Sequence, residues 1–283
     1  MITSNISVII VAYNSSSVII NCLKSVFDNL RQISGEVILV DNNSTDNTIS
    51  IVSEKFPEVS IIENKKNLGF ARGCNQGAEK ANNEFLYFLN PDVILDEDAI
   101  KNLLDSYLNM ENVGGMVSRM RFPDNSFQAT CRKFPSISNI LFSRGSILSW
   151  LLRGDSEYTL KDFETTTKVD AVSGTALLVK KNIFQKVGGF DKRFFMYMED
   201  TDLCLRLSMN GYNNYFVPSS GGVHYWGKGS TTGSLKRKLY HHHSVWKYFL
   251  KHIPNGFSLF LLPLLLIINF ILLSIYSLIR KPE

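Results

Sequence analysis

Between residues 6 and 118, short runs of β-branched residues alternate with segments whose apolar residues recur every three or four positions. Nothing else in the chain restricts its fold as tightly. Ile6–Tyr13 reads as a strand buried on both faces. Ser15–Ser17 offers a cap to a helix carrying Val18, Ile19, Leu23, Val26, Phe27 and Leu30. Glu36–Asp41, Val59–Glu63, Phe85–Leu89 and Val113–Ser118 read as further strands. Between them lie a short helix capped by Asp46, a helix over Phe70–Lys80 and one over Glu97–Met110. This alternation predicts an α/β domain: a mostly parallel central sheet with helices on both faces. In such sheets ligands bind beyond the carboxyl ends of the strands.

Polar motifs stand at those ends. Tyr13-Asn14 follows the first strand, Asp41-Asn42-Asn43 the second and Asn90-Pro91-Asp92 the fourth. Asp41 is placed to accept a hydrogen bond from a base N–H or a ribose hydroxyl. Turn chemistry is the competing reading for Asp41 and for Asn90-Pro91-Asp92. Asp92 is a hard oxygen ligand of the kind a divalent cation takes. In Asn67-Leu68-Gly69-Phe70-Ala71-Arg72-Gly73, Gly69 permits a tight backbone and Arg72 lies in the first helical turn. Neither G-x-x-x-x-G-K-[ST] nor G-x-G-x-x-G occurs, which argues against a P-loop and a dinucleotide site.

Residues 119–168 carry apolar residues only in short bursts and read as an irregular insertion. Beyond it, Lys168–Lys180 gives two apolar segments broken at Ser173-Gly174. Asn182–Val187 reads as a short helix, Thr201–Asn210 as another and Asn214–Val217 as a strand. Glu199, Asp200 and Asp202 crowd that second helix start. Acids there are favoured by the helix dipole, so capping competes with general-base chemistry. The aromatic stretch Phe194–Tyr197 before them would desolvate a carboxylate and raise its pKa. His224 precedes the glycine-rich Gly227-Lys228-Gly229-Ser230, loose enough to wrap phosphates. The run His241–His243 lies in a predicted helix over Leu235–Ile253, where consecutive residues diverge, so it is a poor metal site.

Composition narrows the classes. With 45% hydrophobic and 20% charged residues, the chain is neither disordered nor fibrous. A net charge of +4 is too mild to argue for nucleic acid. Four cysteines without a C-x-x-C pair exclude a disulfide scaffold or zinc ribbon and fit a reducing compartment.

Taken in order, VIIVAYNSS (8–16), VDNNSTDNT (40–48), NLGFARGCNQG (67–77), LNPD (89–92), SGTALLVK (173–180), GGFDKRFFMYMEDTDLCLRL (188–207) and HYWGKGS (224–230) resemble the inverting family-2 glycosyltransferases of the GT-A fold. Within them they resemble the rhamnosyltransferase-like branch. The resemblance implies a Rossmann-like nucleotide-binding fold and a nucleotide-sugar donor. It implies nucleotide contacts from Tyr13, Asp41 and Arg72, and a divalent cation, Mg2+ or Mn2+, held by Asp92 with His224. It implies Asp200 as the base that deprotonates the acceptor hydroxyl, supported by Glu199 and Asp202. Asn90 departs from the family's Asp-x-Asp element, and fewer charged ligands weaken cation affinity. Rhamnose from dTDP-rhamnose is the first expectation and a UDP-hexose the second, with a lipid-linked or cell-surface glycan as acceptor. A nucleotidyltransferase would need a glycine-rich loop and lysine after the first strand, where Ala12–Ser17 has neither. A membrane-anchored, non-catalytic binding module is the remaining alternative, and the three acids Asp41, Asp92 and Asp200 argue against it.

The expected organisation is a GT-A domain over 1–234, a basic and aromatic amphipathic helix over 235–256 and a hydrophobic membrane segment over 257–279. That last stretch has no charge, and 23 helical residues at about 1.5 Å each would cross a hydrocarbon core. Pro263 and Asn269 leave a re-entrant or interfacial course open. No basic residue precedes the apolar run Ile6–Ala12, so no signal peptide is expected. Lys236, Arg237, Lys238, Lys247 and Lys251 before the tail place the catalytic domain on the cytoplasmic side of the cell membrane.

Overall fold

The computed structural model of the chain describes residues 5–136 and 162–279. Strands β1 (Ile6–Ala12), β2 (Gly35–Asp41), β3 (Ser60–Glu63) and β4 (Phe85–Leu89) run parallel, in the spatial order β3-β2-β1-β4. Helices α1 (Ile19–Leu30), α2 (Thr48–Lys55) and α3 (Phe70–Lys80) connect them. Side chains alternate along β1. Val8, Ile10 and Ala12 pack with α1, and Ile9 with α3 on the other face. A strand buried on both faces needs apolar residues at every position, which is why this run lacks polar alternation. Helix α3 lies so close to β1 that a Cβ on Gly77 would come within 2.4 Å of Ile9.

Beyond β4 the sheet departs from expectation. The predicted mostly parallel sheet is a mixed one. After β5 (Val93–Leu95) and helix α4 (Ala99–Leu108) come β6 (Val113–Arg121), β7 (Phe127–Gln128), β8 (Cys131–Arg132), β9 (Thr167–Val169), β10 (Ala171–Val172) and β11 (Ala176–Lys180). Strand β11 enters antiparallel between β4 and β6. Residues 119–136, expected to be irregular, contain the end of β6 and both β7 and β8. The rest of that expected insertion, 137–161, lies outside the described residues.

Helix α5 (Lys181–Lys186) and helix α6 (Glu199–Met209) follow. The next strand, β12, runs Asn213–His224 and is much longer than Asn214–Val217. Pro218 and Gly221-Gly222 hide its second half, which resumes pairing with β6 after a register shift between Val217 and Gly221. Helix α7 (Ser234–His252) then packs Val245, Tyr248 and Phe249 against Phe194 and Met198.

The tail forms a π-turn (Phe257–Leu261) and helix α8 (Leu262–Ile279). Among the described residues no helix is long and apolar enough to cross a membrane. The expectation of a spanning segment is therefore not borne out, and the geometry shows why. Pro263 cannot donate a backbone bond, and the wide turn falls just before it. The α-helical part has 18 residues, about 27 Å at 1.5 Å each and short of a core of about 30 Å. Its start docks on α7 through Leu262, and Asn269 Nδ2 bonds His242 Nε2 at 3.0 Å.

Candidate active site

The carboxyl ends of β1 and β4, the loop after β12 and the starts of α3 and α6 surround a cleft of about 400 Å³. Tyr13, Asp92, Glu199, Asp200 and His224 all line it. Three residues expected to serve the site are placed elsewhere. Asp41 is buried, and both its oxygens accept from Ser44, from the backbone N–H at 2.8 Å and from the hydroxyl at 2.5 Å. That is turn chemistry, and the neighbouring Asn42 reaches the cleft instead. Arg72 lies on the surface, its Nε donating to the Lys192 carbonyl at 3.3 Å. Asp202 is fully buried away from the cleft. It accepts from Lys251 Nζ at 2.5 Å and His252 Nε2 at 2.7 Å, and pairs with Arg206 at 2.7 Å.

One side of the cleft is built around Asp92. Its Oδ2 accepts the Gly229 N–H at 2.7 Å, and its Oδ1 lies 3.1 Å from His224 Nε2. The loop carrying Gly229 is tied to the end of β1, where Ser15 Oγ donates to the Gly229 carbonyl at 2.7 Å. The sequence offered Ser15 as a helix cap, but its hydroxyl points across the cleft mouth instead. Trp226, 70% exposed, stands at the rim with its ring against Phe122.

The residues fit a divalent cation as a partial donor set. His224 Nδ1 lies 2.7 Å from Gln128 Oε1, and the tautomer protonated on Nδ1 would donate to it. In a neutral ring the Nε2 lone pair then converges with Asp92 Oδ1, as two ligands of one ion do. Gln128 is buried, and among the described residues its Nε2 has no partner. Ligating histidines are commonly oriented by such a second hydrogen bond. Among the described residues no group of three or more His, Cys, Asp or Glu is arranged to hold a metal. An ion held by this pair would draw its remaining ligands from water and a bound anion, an arrangement common for Mg2+.

The other side is the first turn of α6. Tyr197 and Met198 both adopt left-handed backbone, at φ 69° and 66°. Such strain costs on the order of 1–3 kcal/mol per residue and persists only where the surroundings enforce it. It turns the chain so that Glu199 and Asp200 start the helix at the cleft. Gly69 lets the N-terminus of α3 press on this loop: at φ 84°, a Cβ there would meet the Phe195 carbonyl at 2.3 Å. Asp200 Oδ2 accepts from Arg132 Nη2 at 2.5 Å and the Gly174 N–H at 3.1 Å, and Oδ1 from the Thr201 N–H at 2.7 Å. Glu199 is buried. Desolvation first, and the charge of Asp200 second, push its carboxyl up to about 8.

Sequence reasoning missed Gln128 and Arg132, which lie in the stretch read as an insertion and carry no local signal. It also missed Arg237 and His241, which line the cleft from α7. Their i,i+4 spacing, with Ser244 and Tyr248 continuing the same face, was the available clue. His241 faces the open cleft, and the protein packed around it, with His242 beside it, holds its ring below the usual imidazole range.

The Glycosyl transferase family 2 profile matches residues 7–188, and that of Glycosyl transferase family group 2 matches residues 155–279. An N-acetylglucosaminyl-diphospho-decaprenol L-rhamnosyltransferase of Mycobacterium tuberculosis is 31% identical over 236 residues, covering 78% of this chain and 76% of its own. Rhamnosyltransferase WbbL of Escherichia coli is 29% identical over 170 residues, covering 59% of this chain and 62% of its own. Among solved structures, a mannosyltransferase from Pyrobaculum calidifontis in complex with GDP-Man and Mn2+ superposes with a TM-score of 0.61 at 18% identity. It covers 99% of this chain and 76% of its own.

Proposed function

Because the chain belongs to glycosyl transferase family 2 and is a sugar-transferring enzyme, we propose that it moves rhamnose from dTDP-rhamnose to a lipid-linked glycan, with inversion. The observation that carries the reaction type is Asp200, a buried carboxylate at a helix start in the same cleft as the Asp92–His224 pair. The rhamnosyl donor and lipid-linked acceptor rest on the relatives' names.

Asp200 takes the proton of the acceptor hydroxyl, whose oxygen then bonds to the anomeric carbon of the donor as the bond to the diphosphate breaks. Attack comes from the face opposite the leaving group, so one displacement inverts the centre. Arg132 and the Gly174 N–H hold the base in place. Tyr13, Asn42 and Asn67 line the nucleotide end of the cleft. A divalent cation, Mg2+ or Mn2+, held by Asp92 and His224 would neutralise charge on the departing diphosphate.

The tail supports work at a membrane surface. Phe260, Leu264, Ile267, Ile268 and Ile271 are exposed, Phe260 by 77%. The same helix docks on α7, which brings Lys236, Arg237, Lys238 and Lys247. An apolar face beside basic residues is the pattern of a segment lying in the headgroup layer. It would hold the cleft beside a lipid-linked acceptor on the cytoplasmic leaflet, where nucleotide sugars are supplied.

The test is transfer by the purified protein to an N-acetylglucosaminyl-diphospho-polyprenol, with dTDP-rhamnose, UDP-glucose, UDP-galactose and UDP-N-acetylglucosamine as competing donors. A rhamnosylated product with inverted linkage is expected. Transfer from a UDP-hexose in its place would overturn the donor assignment.

A further inference from the structure

Resting on that reading, we infer that Glu199 stays a neutral carboxylic acid in the working enzyme and hydrogen-bonds a sugar hydroxyl, apart from the base Asp200 next to it. Glu199 is only 5% exposed, yet it lines the cleft, and among the described residues its buried Oε2 has no hydrogen-bond partner. A buried polar atom without a partner is costly, and one in the wall of a binding cleft can gain its partner from a ligand.

The two adjacent carboxyls live in different surroundings. Asp200 holds an ion pair with Arg132 and accepts the N–H groups of Gly174 and Thr201. Glu199 has no cation within bonding distance among the described residues. Burial first and the Asp200 charge second raise its carboxyl, which favours the protonated form. Two neighbouring carboxyls in such different surroundings are suited to different work, one held by the protein and one left for a ligand.

Chemistry then selects the ligand group. A protonated carboxyl presents one O–H donor and one C=O acceptor. A sugar hydroxyl is likewise one donor and an acceptor, so the two complement each other. A diphosphate oxygen only accepts and is anionic, so it would use the O–H while facing the carbonyl dipole unfavourably. The reader of a hydroxyl at this position sets which sugar is accepted. A site built to bond a hydroxyl rejects analogues that lack it.

The test uses the full chain and calorimetry with dTDP-rhamnose, dTDP, UDP-N-acetylglucosamine and UDP. The ratio of nucleotide-sugar to nucleoside-diphosphate affinity is read for whichever donor the wild type binds. A different donor would therefore change the proposed function without touching this inference. Glu199→Ala should lower nucleotide-sugar affinity about tenfold with nucleoside-diphosphate affinity within twofold, the scale of one lost hydrogen bond with a partner left unpaired. Glu199→Gln, a permanent neutral donor and acceptor, should recover most of that loss. If donor affinities hold in Glu199→Ala but KM for the N-acetylglucosaminyl-diphospho-polyprenol rises tenfold, the hydroxyl belongs to the acceptor. Unchanged donor affinity and unchanged acceptor KM would overturn the inference. So would a Glu199→Gln enzyme whose turnover collapses while both substrates still bind, since Glu199 would then be the base.

Discussion

At the residue scale, the site separates groups that sequence alone had bundled. Glu199, Asp200 and Asp202 fall within four positions, but helical geometry sends them to three environments: an orphaned cleft acid, an ion-paired cleft carboxylate and a buried structural acid. Asp200→Asn keeps the size of the side chain and removes its basicity. Turnover should fall roughly 10²–10⁴-fold with donor affinity nearly intact. Activity within threefold of wild type would move the base elsewhere. Gln128 gives a second prediction at this scale. Gln128→Leu removes the side-chain amide that lies 2.7 Å from His224 Nδ1. Mn2+ binding in the presence of nucleoside diphosphate, followed by electron paramagnetic resonance, should weaken 10–100-fold. Unchanged Mn2+ affinity would show that His224 is oriented by other means or does not ligate.

At the scale of elements, α6 and α7 are locked together by charge. Asp202 on α6 meets Lys251 and His252 at the end of α7, and Lys251 also bridges to Asp191 at 2.7 Å. Burial alone would raise the Asp202 carboxyl. The His252 hydrogen bond, with the charges of Arg206 and Lys251, outweighs that and holds it below the ordinary range. Removing the charge strands buried cations, at a cost of about 3–5 kcal/mol. Asp202→Asn should therefore lower Tm by on the order of 10 °C. The sign with pH follows. The folded pKa lies below the unfolded one, so the stabilisation is present above the unfolded value of 3.8 and is lost as pH falls through the folded value. The Tm gap between wild type and variant should be full at neutral pH and close towards strong acid. A gap that stays constant with pH would mean that packing, not charge, joins the helices.

The same elements show what was legible. Helix α3 and strand β4 match their sequence spans because periodicity and apolar runs are local signals. Strand β12 was half hidden because Pro218 and two glycines are tolerated only by a bulged strand, and the partner that tolerates them, β6, lies about a hundred residues away. The direction of β11 is likewise a tertiary outcome that no local pattern encodes. In the site, Asp92, Asp200 and His224 could be read from motif order. Arg132 could not, because its contact with Asp200 joins positions 68 residues apart.

At the scale of the whole molecule, α7 connects the chemistry to the surface. Arg237 and His241 on it line the cleft, while Val245, Tyr248 and Phe249 hold the start of α8 in a third apolar cluster. A polyprenyl-linked acceptor has its reacting sugar only a diphosphate away from the bilayer, so an enzyme acting on it gains by sitting at headgroup level. On the proposed function, the exposed residues of the π-turn and α8 would provide that seat, with the start of α8 held on α7. Full-length protein should co-sediment with vesicles containing anionic lipid, and the binding should weaken with salt because part of it is electrostatic. Replacing Phe260 and Ile267 together by Glu puts two charges on the face that enters the lipid. Vesicle binding should fall at least tenfold, and transfer to a vesicle-borne polyprenyl acceptor should fall with it. Calorimetric affinity for the nucleoside diphosphate should stay the same, because neither residue lines the cleft. If the double variant binds vesicles as wild type does, the apolar face is covered by protein rather than lipid, and its oligomeric state in solution becomes the measurement that identifies the cover.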